Sequence, residues 1–202
     1  RSGQYVEFLL RDGSRRSYSM ASAPGVEPGV IELHIRHMPG GLFTDHVFGA
    51  MKEKEILRIE GPFGTFFLRE DSEALIVLLA SGTGFAPIKA IIEQLRFKAS
   101  ERPAVLYWGC RSRADLYLHE WALEAAAGMP NLSYVPVLSE PKPEDGWTGR
   151  TGFVHQAVLE DIPDLSGYQV YACGAPIVVD SARRDYCELA GLAEEEFYAD
   201  AF

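Results

Sequence analysis

The chain has 202 residues, 47% of them hydrophobic and 24% charged, a balance that can bury a real core in one large domain or two small ones. Nineteen basic residues against twenty-nine acidic ones give a net charge of -10, which disfavours nucleic acid and anionic membrane surfaces as partners of the whole molecule. No stretch approaches roughly 18 uninterrupted apolar residues and the N-terminus lacks a basic-then-apolar leader, so the expectation is a cytoplasmic protein that does not act in a membrane.

In chain order, Gln4–Leu10 reads as a strand, Arg11-Asp12-Gly13-Ser14 as a hairpin turn, and Arg15–Ala21 as the returning strand. A loop with Pro24, Gly25, Pro28 and Gly29 precedes Val30–Arg36, where Ile31, Leu33 and Ile35 alternate with Glu32, His34 and Arg36 and predict a third strand. Gly40 and Gly41 then open a short amphipathic helix, Leu42–Phe48, and a double glycine at a helix N-terminus is a candidate anion site. Ile56–Glu60 and Phe66–Leu68 supply two more strands around Gly61-Pro62-Phe63-Gly64. Short strands with glycine and proline turns imply an antiparallel barrel over residues 1–73, expected to lack its first strand because the chain opens almost directly on one.

From residue 74 to 202 strands and helices alternate. Leu75–Ala80 is apolar throughout and predicts a strand buried on both faces; Gly82, Thr83 and Gly84 turn the chain, and Pro87 fits the first turn of a helix carrying Ile88, Ile91, Ile92 and Leu95. Such a turn cradles phosphate, yet Pro87 stands where the ordinary dinucleotide fingerprint has its third glycine, so a plain strand-to-helix turn remains the alternative. Ala104–Trp108, Leu132–Leu138 and Tyr168–Cys173 predict further strands; Asp115–Ala127, Gly152–Leu159 and Ile177–Ala190 predict helices, with Glu140–Arg150 a loop and Phe197-Tyr198 the start of a last strand. The pattern implies a parallel sheet whose ligand lies at the carboxyl ends, which carry Ser81–Gly84, Gly109–Arg113 and Cys173–Pro176.

The candidate metal ligands point away from a metal. Cys110, Cys173 and Cys187 form no Cys-x-x-Cys pair and are too few for a four-cysteine iron-sulfur site, and the five histidines fall at no metal-binding spacing. On the second barrel strand Arg16 and Tyr18 share one face and Ser17 and Ser19 the other; arginine suits a phosphate and tyrosine a flat ring. Arg111 and Arg113 follow the second parallel strand, where an acid would bind a ribose hydroxyl, and an arginine there accommodates a 2′-phosphate without requiring one. Asp115 is a helix-capping residue rather than a catalytic one.

Arg16-Ser17-Tyr18-Ser19, Gly40-Gly41-x-x-Thr44, Gly82-Thr83-Gly84-x-x-Pro87 and Cys173-Gly174-x-Pro176, in that order, resemble the ferredoxin-NADP reductase superfamily over nearly the whole chain. Within it, RRSYSMAS, ELHIRHMPGGLFTDHVFG and GPFGTFFLRE are most similar to the CDP-6-deoxy-Δ-3,4-glucoseen reductases and oxygenase reductases, while GWTGRTGFV and YADAF resemble the flavin reductases.

The resemblance implies a flavin-binding barrel, a parallel-sheet nicotinamide domain, FAD, and NADH or NADPH. Arg16 would hold a flavin phosphate, Tyr18 would pack on the isoalloxazine with Ser17 beside it, and Ser19 would lie near flavin N5. Gly40, Gly41 and Thr44 would bind the pyrophosphate, and His34, Ile35 and Arg36 would line the ribityl and phosphate region. Gly82, Thr83, Gly84 and Pro87, with Gly174 and Pro176, would receive the dinucleotide; Cys173 would sit beside the nicotinamide as a positioning group, and Phe202 would cover part of the flavin.

Such relatives usually add a 2Fe-2S domain, so the acceptor is expected to be an iron-sulfur centre in a domain before Arg1 or in a dehydratase or oxygenase partner. A stand-alone reductase passing electrons to free flavin is the alternative. A non-catalytic nucleotide-binding docking module is the reading of another class.

Overall fold

A computed structural model describes residues 1–202. β1 (Tyr5–Leu9) and β2 (Arg15–Ser19) form a hairpin, turned where Gly13 adopts a φ of 85° and the Ser14 backbone N–H donates to Asp12 Oδ1 at 2.9 Å. After α1 (Leu42–Phe48), β3 (Ile59–Phe63) pairs with the other edge of β1, giving an antiparallel sheet of order β2-β1-β3, a partial barrel. Phe43 of α1 stacks on Phe8 at 4.7 Å between ring centroids and packs against Tyr18 at 5.7 Å, which seats the helix on the sheet.

The second sheet contains β4 (Leu75–Ser81), β5 (Ala104–Cys110), β6 (Leu132–Leu138), β7 (Arg150–Thr151), β8 (Tyr168–Gly174) and β9 (Phe197–Ala201), all parallel, in the order β7-β6-β5-β4-β8-β9. Alternate residues of β4 serve two cores. Ile76 and Leu78 pack with Phe85 and Ile88 of α2 (Phe85–Phe97) and Ala122 and Ala125 of α3 (His119–Gly128). Val77 and Leu79 pack with Val154 and Val158 of α4 (Val154–Asp161) and Val179 and Ala182 of α5 (Pro176–Leu189). Helices on both faces account for the uninterrupted apolar run of β4. The chain leaves β4 toward β5 and later returns to its other side as β8, so the strand order reverses there and opens a crevice at the carboxyl ends.

Several predicted elements differ. Val30–Arg36 is extended but makes only one bridge, Leu33 to Met20, because Glu32 and His34 point to partners in the other half while Val30 and Ile31 stay exposed. Phe66–Leu68 is no strand: Phe66 and Leu68 bury themselves in the core of the second sheet, Phe66 edge-on to Tyr171 at 6.1 Å. The strand expected at Ile56–Glu60 begins at Ile59 and runs through Pro62 to Phe63, with Ile56 fully outside. The single helix expected over Asp115–Ala127 is broken: Arg113–Asp115 is a 3-10 turn, closed by Asp115 Oδ2 accepting from the Ser112 N–H at 3.2 Å and hydroxyl at 3.1 Å, and α3 starts only at His119. The last strand runs on to Ala201.

The segment between the sheets is held by buried Arg102. Its guanidinium donates to Ala74 O at 3.0 Å, Arg69 O at 2.8 Å and Gln169 Oε1 at 3.0 Å. No helix is long and apolar enough to cross a membrane.

Candidate functional site

β4 ends in Ser81 and continues as the tight turn Gly82–Gly84 into α2. Gly82 adopts a φ of 57° and a Cβ on it would meet no atom within 4 Å, so the turn presents bare main chain to open space. Its carbonyl accepts from Trp108 Nε1 at 3.0 Å, an indole wholly buried in β5 and stacked on Phe85 at 4.0 Å. Gly84 serves another need. A Cβ there would lie 2.1 Å from Cys173 O, and one on Gly174 would lie 2.5 Å from Ser81 O, so both glycines allow the ends of β4 and β8 to touch.

A cleft of about 960 Å³ lies over these strand ends. One wall is Glu32–Arg36 of the first half; the other includes Ser81, Gly82, Thr83, Gly109–Arg111, Tyr117, Phe153, Gly174 and Phe202. His34 spans the walls, its Nδ1 hydrogen-bonded to Tyr117 OH at 2.7 Å and its Nε2 to Glu32 Oε1 at 2.7 Å. Burial holds the His34 imidazole below its ordinary pKa against the opposing pull of Glu32, and burial raises the Tyr117 phenol, so both are neutral at physiological pH. The Cys110 thiol, also lining the cleft, is pushed up by burial to about 12 and is no nucleophile.

On the first sheet, adjacent arginines differ in use. Arg15 is spent on Glu7 at 3.1 Å and Glu60 at 2.6 Å, whereas Arg16 has no ion pair and bonds only Arg15 O at 2.9 Å. Tyr18, on the same face, is half-buried beside Phe8 and Phe43. Ser19 faces the Asp200 carboxyl of β9, which burial raises above its ordinary pKa while the Ser19 hydroxyl pulls it down. An uncommitted guanidinium, an open tyrosine ring and a hydroxyl on one short sheet fit a planar ring that carries phosphate. The bare Gly82 turn at a helix start fits a dinucleotide.

The Asp200 shift has a measurable sign. A folded carboxyl that binds its proton more tightly than the unfolded chain stabilises below the ordinary carboxylate range and loses that contribution as pH rises through the raised value. Asp200→Asn is therefore expected to be more stable than the native chain at neutral pH, with the gap closing in acid, as read by urea unfolding across pH; a gap that widens in acid would contradict the shift.

Of the residues singled out by sequence, the cleft gathers His34, Ile35, Arg36, Gly82, Thr83, Arg111, Gly174 and Phe202. Arg16, Ser17, Tyr18, Ser19, Gly40, Gly41 and Thr44 lie on the first half outside it. Thr44 is buried, its hydroxyl donating to Met38 O at 3.0 Å and accepting from the Met38 N–H at 3.2 Å, and a Cβ on Gly41 would lie 2.7 Å from Thr44 Oγ1. Gly84, Pro87 and Cys173 are buried behind the cleft, the Cys173 thiol raised far by burial; Pro176 is exposed at the start of α5. Arg113 turns away to lie over Trp147 at 5.9 Å. Sequence reasoning missed Lys89, Trp108 and Tyr117, which belong to no recognisable motif, and Glu32, which opens the ELHIRHMPGG run but reads there only as the polar side of a strand.

The model for the oxidoreductase FAD-binding domain matches residues 1–68 and that for the oxidoreductase NAD-binding domain residues 78–184. The CDP-6-deoxy-L-threo-D-glycero-4-hexulose-3-dehydrase reductase of Yersinia pestis is 49% identical over all of this chain and 59% of its own length. The chain thus spans under two thirds of that relative. The NAD(P)H-flavin reductase of Vibrio harveyi is 32% identical over all of this chain and 86% of its own length. Among solved structures, the Amycolatopsis reductase GcoB superposes with a TM-score of 0.89 at 33% identity, covering all of this chain and 61% of that one. With both domain models matched in order and the two halves meeting at one cleft, the chain belongs to the ferredoxin-NADP reductase superfamily of FAD- and nicotinamide-dependent oxidoreductases.

Proposed function

We propose that this chain takes reducing equivalents from NADH or NADPH through FAD to an iron-sulfur centre, as the reductase of a deoxyhexose dehydratase or an oxygenase system. The observation that carries the reading is the shared cleft: the Glu32–Arg36 segment of the flavin half and the Gly82–Thr83 turn of the nicotinamide half face each other across it. When bound, the nicotinamide supplies a hydride and the flavin divides the electron pair for a one-electron acceptor. The chain's own part is binding and orientation.

In this proposal residues 1–73 hold FAD and residues 74–202 hold the nicotinamide dinucleotide. Arg16 holds a flavin phosphate, Tyr18 packs on the ring and Ser19 hydrogen-bonds its reacting edge. The Gly82–Thr83 main chain receives the dinucleotide phosphates, and Arg36 and Arg111, neither of them in an ion pair, supply positive charge from opposite walls. Thr44, Gly84 and Cys173 shape the site from behind. Three free thiols suit the cytoplasm, where we place the protein.

The test is an anaerobic titration of the FAD-loaded chain with NADH and then NADPH, following flavin absorbance. Bleaching supports the reading, and the better donor defines the role of Arg111. Arg16→Ala and Tyr18→Ala are each expected to weaken FAD binding about tenfold or more, the scale of one charge-assisted contact or one stacked ring. Unchanged FAD affinity in both variants would remove the flavin site from this strand.

A second reading, transfer of electrons to free flavin, is favoured by the likeness to the Vibrio harveyi flavin reductase, which extends over 86% of that protein's length. Turnover with added flavin, without an iron-sulfur partner, would select it.

A further inference from the structure

Lys89 projects from the second turn of α2 and is only 4% exposed. A buried ammonium is costly unless it is fully paired, and this one is. Its Nζ lies 2.6 Å from Glu93 Oε1 on the same helix, 3.2 Å from Glu32 Oε1 in the other half and 3.3 Å from Ala21 O, with the Trp121 ring centroid at 5.0 Å. Glu93 reaches across as well, its Oε2 accepting from the Ala23 N–H at 3.0 Å. Glu32 continues the chain of contacts to His34, and His34 continues it to Tyr117.

The position of this cluster matters more than its strength. Ala21 is two residues beyond Ser19, at the exit of the strand that carries Arg16 and Tyr18. Lys89 is six residues beyond Thr83, on the helix that begins at the dinucleotide turn. One ammonium therefore grips the end of the flavin strand and the start of the nicotinamide helix together. Salt pairs placed for stability alone sit anywhere on a surface: Arg15 with Glu60 and Arg150 with Asp161 lie within a single half. Lys98 with Glu70 at 2.9 Å joins the halves but is about half exposed and stands outside the cleft lining. Arg102 fixes the linker between the halves, but at the opposite ends of the strands, near Ala74 and Gln169.

We propose that Lys89 is a positioning residue for hydride transfer: through Glu32, Glu93 and the Ala21–Ala23 main chain it locks the two halves at the angle that sets the donor–acceptor distance. The proposal rests on the reductase reading above. Lys89 touches neither cofactor in this account and acts through the segments that do. Transfer between two held reactants is steep in distance, so a looser lock slows the chemical step more than it weakens binding of either cofactor.

The test compares the native chain with Lys89→Met, which keeps the stem and removes the charge, Lys89→Arg, which keeps the charge, and Glu32→Gln, at a half-exposed position where folding is retained. Stopped-flow reduction of bound FAD at saturating nicotinamide, with unlabelled and 4-deuterated donor, gives the limiting rate and the primary isotope effect. For Lys89→Met the limiting rate is expected to fall about tenfold or more, with a more temperature-dependent isotope effect, while FAD and nicotinamide dissociation constants change less than about threefold. Lys89→Arg should recover part of the rate and Glu32→Gln should lie between. Amide exchange at Ala23, measured without cofactor, should accelerate in Lys89→Met. Should Lys89→Met fail to fold, Glu32→Gln decides, and a rate and isotope effect matching the native chain in the folded variants overturn the lock alone. Native chain that binds FAD but is reduced by neither donor overturns the reductase reading, and the lock with it.

Discussion

Replacing Gly84 with alanine is expected to cost about 3 kcal/mol and to abolish nicotinamide-dependent reduction, the steepest loss from adding one carbon anywhere near the cleft. The new Cβ would stand 2.1 Å from Cys173 O and 2.4 Å from its carbonyl carbon. Those are main-chain atoms at the end of β8, so no side-chain rotation relieves the contact. The strands must part, and the parting opens the floor on which the Gly82 turn rests. Gly82→Ala is the control: it faces open space, so its folding cost is limited to its φ of 57°, about 1 kcal/mol. Urea unfolding of both variants checks the contrast, and a Gly84→Ala loss below that of Gly82→Ala would show that β4 and β8 separate easily.

Trp108→Ala is expected to cost about 4 kcal/mol, the range for removing a fully buried large aromatic. Trp108 is wholly inaccessible, stacked on Phe85 with its rings 13° apart, and met edge-on by Tyr117 at 5.3 Å. Trp108→Phe is the more informative change. It keeps most of the packing but removes the Nε1–H that holds Gly82 O, so the folding cost should fall to about 1–2 kcal/mol. Nicotinamide affinity should still drop about tenfold, because the freed carbonyl no longer fixes the turn. Calorimetric unfolding and a nucleotide titration separate the two effects. Equal affinities in native and Phe variants would mean that the turn holds its shape without the indole.

The parallel sheet was legible because burial on both faces leaves its strands few polar positions, Ser133 and Gln169 being exceptions. Leu75–Ala80, Ala104–Trp108, Leu132–Leu138 and Tyr168–Cys173 each lie within two residues of the observed strands. The first half misled for a related reason. Alternation reports which side chains share a face, not what the backbone pairs with: in Val30–Arg36 it is Glu32 and His34 that reach the other half while Ile31 stays exposed, and Phe66 and Leu68 reach its core. The Gly82–Gly84 turn and the Arg15–Ser19 strand were readable as elements, since glycines mark the one and the Asp12-Gly13 hairpin turn announces the other. Lys89, Glu32, Trp108 and Tyr117 were not, because a lysine in a helix or a tryptophan in a strand acquires its partner only through tertiary contact. Which of two neighbouring arginines finds an internal partner is likewise set by tertiary contact: Arg15 pairs with Glu60 while Arg16 does not, and Arg113 lies over Trp147.

The order of the second sheet also bears on how the chain comes off the ribosome. β4 finds its neighbour β5 within about thirty residues, a short crossover, but its other edge waits for Tyr168 to arrive opposite Leu75. Until then the most apolar strand of the protein has one side unpaired and Gly84 has nothing to pack against. Closing that pair spans nearly half the sequence, a slow and entropically costly step that leaves the nascent chain exposed to aggregation. The Gly82 turn is thus translated early yet acquires its floor only when β8 docks.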